Sequence, residues 1–285
     1  MARLIVNADD FGVYACVSRG ILEAVQAGAV TAVGVMATGR AFGMAEELLP
    51  LAAQRGGGAD AGAHLVLTAG EPLTERMRRI CRGWAGRFPP LGTAALSVLA
   101  GRIPVAAVAE EWRAQIALCR KAGLRLVFLN SHEHIHMLPP LFRLTRALAR
   151  ENGVRWVRAP RTSLSLPQPA KRLAKELVFK ALRVCAGPTS HFCAAQPVLL
   201  GTGESGRLTP GDLARLVKGV RGEGDYELMC HPGRFDPAEI TDERLRAFHD
   251  WEGELEALLS PAFGRLLAGR GARLVRFSDL AAARS

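Results

Sequence analysis

The chain has 285 residues, 49% of them hydrophobic and 22% charged, which is ample apolar material for a full core and excludes a disordered, collagen-like or coiled-coil protein. Its 37 basic residues against 27 acidic ones leave a net charge of +10, yet the arginines are scattered and no run of five or more basic residues marks a binding tail, so nucleic acid is not an expected partner. The length suits one α/β barrel of roughly 250 residues as well as it suits two smaller domains.

Taken in order, Leu4 to Ala8 reads as a buried strand that ends in Asp9 and Asp10. Val17, Ile21, Leu22 and Val25 then recur at helical spacing, with Gly28 as the stop signal. Val30 to Ala37 is a second strand, Met44 to Gln54 a helix, and Ala61 to Thr68 a third strand interrupted by His64. Ala69 to Ile103 mixes glycine, proline and basic residues without clean periodicity and reads as a long insertion, a substrate lid over one end of the fold. Val105 to Ala122 is a strong helix, and Leu124 to Leu129 a strand that runs straight into Asn130-Ser131-His132-Glu133-His134-Ile135-His136.

Pro139 can open the helix Leu141 to Glu151, because its missing N–H is not needed in a first turn. Val154 to Arg158 is the next strand and Ala170 to Val184 a basic amphipathic helix. Thr209 to Gly219 and Glu243 to Leu259 read as helices, Tyr226 to Cys230 as a strand delivering His231, and Arg273 to Phe277 as a last strand. Strands alternating with helices predict a mainly parallel sheet or barrel with its site at the C-terminal strand ends. No repeat, low-complexity linker or composition break divides the chain, so one domain over 1–285 is expected. The six cysteines form no CxxC pair and are expected as buried thiols. No secretory signal pattern opens the chain and no run approaches about 18 apolar residues, so a cytoplasmic location is expected.

Four of the seven histidines, His64, His132, His134 and His136, fall in or beside two strand ends, and the first strand ends in paired carboxylates. Imidazole nitrogens and a carboxylate oxygen together suit a divalent ion of the zinc, iron or manganese type, with positions left open for water and substrate. Taken singly, a histidine in an apolar strand is more often a hydrogen-bonded core residue, paired acids often cap a helix, and a histidine-rich tract can simply face solvent. Their convergence at separate strand ends is what points to a site. In a loop leaving a strand the three alternate histidines can diverge, so one or two of them at most would reach a single ion.

NADDFG at 7–12, GAHLVLT at 62–68, NSHEHIHMLP at 130–139 and ELMCHPG at 227–233 resemble the ordered motifs of the YdjC-like carbohydrate deacetylases over nearly the whole chain. The resemblance implies an α/β fold, a deformed (β/α) barrel of the polysaccharide-deacetylase (NodB-like) type, and hydrolysis of an N-acetyl group on an amino sugar. By position it makes Asp10, His64 and His132 metal ligands, Asp9 the catalytic base and His231 the general acid. Asn130 stands where some members carry aspartate, which removes a charge but keeps an acceptor near His132. RWVRAPR at 155–161 resembles the family's arginine and proline strand, so that Arg158 would orient Asp9 or the substrate.

His134 and His136 would orient ligands or contact the sugar, and Trp84 and Phe88 would either stack on a sugar or lipid or pack the lid. One divalent ion is expected: two histidines, one aspartate and water suit zinc, while the resemblance implies magnesium. The resemblance implies an acetylated chito-oligosaccharide or an N-acetylglucosaminyl glycolipid as substrate. With a glycolipid, the basic helix carrying Lys171, Arg172, Lys175, Lys180 and Arg183 could meet an anionic membrane surface, although an outer barrel helix has the same composition. A homodimer stays open. The competing readings are a barrel hydrolase of another bond, such as a phosphoester, and a metal-binding protein without turnover.

Overall fold

A computed structural model describes residues 1–54, 58–159 and 196–282. Its framework is a set of parallel strands: Ala2–Phe11 (β1), Ala32–Val35 (β2), Asp60–Leu65 (β3), Leu126–Ser131 (β4), Trp156–Val157 (β5), Val198–Leu200 (β6), Asp225–Cys230 (β7) and Ala272–Leu274 (β8). They pair in the order β5-β4-β3-β2-β1-β7-β6, and β8 also pairs with β1. β1 is buried almost throughout, as a parallel strand covered on both faces must be. The curled sheet with surrounding helices is the deformed (β/α) barrel that the motifs predict.

Helices in the connections cover the sheet. Ala15–Gln26 (α1) follows β1, Ala45–Ala53 (α2) follows β2, and Val105–Lys121 and Pro139–Glu151 flank β4. Among the described residues no helix is long and apolar enough to cross a membrane. Cys16, Cys81, Cys119 and Cys230 are buried free thiols, as their spacing predicts. The basic helix read over 170–184 lies outside the described residues.

The structure corrects several boundaries. The segment 69–103 is no irregular loop: it holds the helices Glu75–Cys81 (α3) and Leu91–Leu99 (α4), and Met77, Cys81, Phe88, Ala94, Val98 and Ile103 are buried in the main core. Helices of seven and nine residues span two turns or so, too few for a periodic stripe to stand out. The fully buried carboxylate of Glu111 binds this segment to the next helix by accepting from the backbone N–H of Leu73 and Thr74 and from the Thr74 hydroxyl.

The helix predicted over 243–259 is two, Glu243–Phe248 and Trp251–Leu259, parted by His249 in extended backbone and Asp250, whose carboxylate caps the second helix at Gly253. β8 stops at Leu274, and Phe277 instead opens the helix Phe277–Ala282 because Asp60 captures both the backbone N–H and the hydroxyl of Ser278. The three-residue β6 and the helix Pro261–Gly269 have no counterpart in the sequence reading.

Candidate active site

The C-terminal ends of β1, β3, β4 and β7 border a cavity of about 700 Å³ whose wall includes Asp9, Asp10, His64, His132, His134 and His231. In a regular strand Asp9 and Asp10 would face opposite sides of the sheet. The β1–β2 register is shifted between Ala8 and Phe11, and Asp10 takes a left-handed φ of +68°, so the strand bulges and both carboxylates turn to the cavity. That strained backbone at a non-glycine residue marks the site. Across the bulge, Gly34 leaves the room that is needed: a Cβ there would lie 2.8 Å from Asp9 Oδ1 and 3.3 Å from His64 Nδ1.

Asp10, His64 and His132 each offer one donor atom, all within 4.8 Å of one another. His64 Nε2 lies 3.2 Å and His132 Nδ1 3.0 Å from the same Asp10 oxygen. The opposite nitrogen of His64, Nδ1, meets Asn130 Oδ1 at 2.8 Å. Because an amide oxygen only accepts, Nδ1 carries the proton and Nε2 keeps its lone pair for a cation. One carboxylate and two imidazoles, one of them held in the ligating tautomer by a neighbour, fit a divalent ion of the zinc type.

Burial pushes the Asp10 carboxyl up, but His132 and His64 more than offset this and hold it well below the usual range. For His132 burial acts downward, and the Asp10 carboxylate raises it to about 9.

Asp9 sits beside this group without joining it. Arg158 Nη1 donates to Asp9 Oδ2 at 2.6 Å, and Asn130 Nδ2 donates to Oδ1 at 2.8 Å. Burial raises the Asp9 carboxyl, and the Arg158 charge and hydrogen bonds, with His64 adding to them, outweigh it and hold the group below its ordinary value. Arg158 is itself clamped from the other side by Glu227, with Nε 2.8 Å and Nη2 2.6 Å from Oε1, and Asn7 Nδ2 donates to the same oxygen.

The expectation for Asn130 needs correcting. The parallel register places it opposite His64, and it bridges His64 to Asp9 rather than serving His132.

The three alternate histidines diverge, because Glu133 and His134 adopt left-handed φ values of +52° and +56°. His132 turns to Asp10 and His134 lines the cavity. His136 is fully buried away from the cavity, where its Nε2 donates to the Arg158 carbonyl at 2.7 Å and its Nδ1 meets the Ser131 hydroxyl at 2.5 Å. Its ring is tied to the Arg158 backbone and is not part of the cavity wall; burial pushes its pKa down to about 4. Trp84 and Phe88 pack on the core and leave the cavity wall to Leu91 and Ala95 of α4.

His231 follows β7 and is nine-tenths buried, its backbone N–H donating to Glu254 at 2.6 Å while its Nδ1 has no hydrogen-bond partner among the described residues. Glu227, His249 and Glu254 escaped the sequence reading. A carboxylate inside the apolar strand YELMC, and another on the Trp251, Leu255, Leu258 stripe, signal buried polar partners, since neither charge could be buried alone. His249 carried no such signal.

A model of the family described as YdjC-like protein matches residues 3–269. The chain is 30% identical to the chitooligosaccharide deacetylase of Klebsiella pneumoniae (strain 342), over 97% of this chain and 98% of that one. It is 32% identical to the human carbohydrate deacetylase, over 98% and 91%. A solved crystal structure from Enterococcus faecalis V583, given as a candidate cellobiose-phosphate cleavage protein, superposes with a TM-score of 0.70 at 25% identity, covering 98% of both chains. With its motifs in order around one cavity and a match over nearly its whole length, the chain belongs to the YdjC-like family.

Proposed function

We propose that the chain is a carbohydrate N-deacetylase, which hydrolyses the acetamide of an amino sugar and releases acetate with one divalent ion, zinc or magnesium, held by Asp10, His64 and His132. The observation that carries this reading is the convergence on one cavity of that donor set, the separately held carboxylate of Asp9 and the imidazole of His231. The names of the relatives support the substrate class.

Hydrolysis of an amide needs an activated water, a stabilised oxyanion and a protonated leaving amine. Lewis-acid polarisation of the acetyl carbonyl and acidification of water are what a divalent ion contributes when those three side chains hold it. Asp9 accepts the proton of the attacking water, its carboxylate having lone pairs beyond the bonds it receives from Arg158 and Asn130. Those two donors fix the plane of the carboxylate. His231, on another strand end, gives a proton to the departing nitrogen.

Leu91 and Ala95 in the cavity wall support reading 69–103 as a cover over bound substrate within one catalytic unit of 1–285. The same wall, with Leu138, Leu245 and Phe248, favours an N-acetylglucosaminyl glycolipid; the names of the relatives favour a chito-oligosaccharide.

Acetate release from N,N′-diacetylchitobiose and from an N-acetylglucosaminyl lipid, by metal-stripped protein with and without added zinc or magnesium, tests the proposal. Metal-dependent release from either substrate is expected. No release from both, with the ion demonstrably bound, would refute N-deacetylation and leave a hydrolase of another bond such as a phosphoester. Asp9→Asn should bind the ion and lose nearly all turnover; preserved turnover would remove Asp9 from the role of base.

A further inference from the structure

One side chain of the cavity has no task in the chemistry above. His249 occupies the break between the helices Glu243–Phe248 and Trp251–Leu259, in extended backbone, and its ring lines the cavity wall beside Leu245 and Phe248. It is held in place from every side. Its N–H donates to the Leu245 carbonyl at 2.9 Å, the next N–H donates to Gly206, and Gly233 N–H donates to the Trp251 carbonyl. The ring stacks on the buried Trp251, with centroids 4.7 Å apart and planes 15° from parallel, and meets Phe248 edge-on at 4.8 Å. Trp251 is backed by Phe235, stacked at 6.2 Å.

A ring pinned this firmly is set up to present a polar edge in a fixed direction. Yet among the described residues no protein group uses that edge: His249 Nδ1 is buried without a hydrogen-bond partner there, and so is Nδ1 of His231, whose ring centroid is 5.3 Å away. Buried imidazole nitrogens are normally satisfied, so two adjacent unsatisfied ones in the wall of one cavity point to a ligand that brings the missing hydroxyls. Burial, with His231 nearby, pushes the His249 pKa down to about 3, which leaves a neutral imidazole able to accept one hydrogen bond and donate another. That is the requirement of a sugar hydroxyl rather than of an anion.

We propose that His249 is a specificity-determining residue that hydrogen-bonds a ring hydroxyl of the sugar whose acetamide reacts at Asp10, His64 and His132, so that simple acetamides lacking this hydroxyl are turned over poorly. The inference takes the identity of the ligand, an acetamido sugar, from the deacetylase reading.

The test compares wild type with His249→Phe, which keeps an aromatic ring on Trp251 and removes both nitrogens. Binding of methyl N-acetyl-β-glucosaminide and of its 3-, 4- and 6-deoxy analogues to metal-stripped protein is titrated by NMR, and acetate release is measured on the metal-loaded protein. The variant is expected to bind the parent sugar about 10- to 100-fold more weakly, in the range for a lost hydroxyl contact in a site built to receive it. One deoxy analogue should bind wild type and variant equally, because the contact is already gone. Equal losses on all four sugars, or no loss on the parent, would overturn the assignment. If wild type binds the sugar but releases no acetate, the deacetylase reading fails while the binding comparison still decides the role of His249.

Discussion

Arg158→Met is the perturbation on which the arrangement makes its largest claim. The guanidinium is buried and pairs with two buried carboxylates, at 2.6 Å from Asp9 Oδ2 and 2.6 Å from Glu227 Oε1. Methionine fills most of the volume, so packing changes little, but both acids, themselves buried, lose their counter-charge. Breaking one buried pair by removing a partner costs about 3–5 kcal/mol. Since one arginine serves both acids, we expect a loss of at least about 4 kcal/mol at pH 7, a large share of the roughly 5–15 kcal/mol that holds a typical domain folded.

The pH dependence separates this cause from simple misfit. In the wild type the Asp9 pKa is depressed, so its contribution is present above the unfolded value of 3.8 and is lost as pH falls through the folded value. In the variant the largest charge opposing burial is gone, so the folded pKa moves up and the unfavourable carboxylate takes up a proton at higher pH than in the wild type. The deficit of the variant should therefore be largest at neutral pH and shrink towards pH 4. Urea unfolding at pH 7, 6 and 5 reads it directly. A loss below about 1 kcal/mol, or a larger one that does not change with pH, would refute the reasoning.

Three further outcomes follow from particular contacts. Asn130→Ala removes the acceptor that sets the His64 tautomer, and zinc affinity measured by competition with a chelator should fall by about 10- to 100-fold; an unchanged affinity would show that Asn130 does not hold the ligand. Gly20→Ala would place a Cβ 2.4 Å from the carbonyl carbon of Gly233, backbone that cannot swing aside. It should cost about 1–3 kcal/mol by urea unfolding and displace the segment after His231, lowering turnover more than zinc binding; a neutral effect on both counts against the close approach of α1.

His136 has a folded pKa pushed down to about 4 against an unfolded value near 6.5, so the unfolded chain binds more protons between them. Its contribution is whole above pH 6.5 and is lost as pH falls to 4, amounting to about 3 kcal/mol. The fall in unfolding free energy over that window should be shallower in His136→Gln, and equal slopes would exclude the buried neutral imidazole.

How much of this was legible in the chain depends on the range of the interaction concerned. The strand ends at Asn130–His132 and His231 could be read because in a parallel sheet a buried apolar run must stop where polar residues begin, a purely local signal, whereas β1 runs on past Asp9 and Asp10 to Phe11 and β3 stops at Leu65 rather than Thr68. The motif order likewise sufficed for the family and the barrel. Short helices such as α3 and α4 were hidden, as two turns leave too little periodicity, and their place was settled by tertiary ties such as the carboxylate of Glu111.

What the sequence by itself determined, then, is which chemical groups stand at the ends of which strands. Only the tertiary structure decided which of them meet. The strand register set Asn130 opposite His64 and not His132, and the left-handed backbone at Glu133 and His134 sent His136 into the core. The break at His249 brought an otherwise unremarked imidazole to the cavity. Glu227 and Arg158 lie 69 residues apart along the chain and in contact in space. Local pattern carries the periodicity of burial, whereas the pairing of buried charges depends on partners far away in sequence, and no local pattern encodes them.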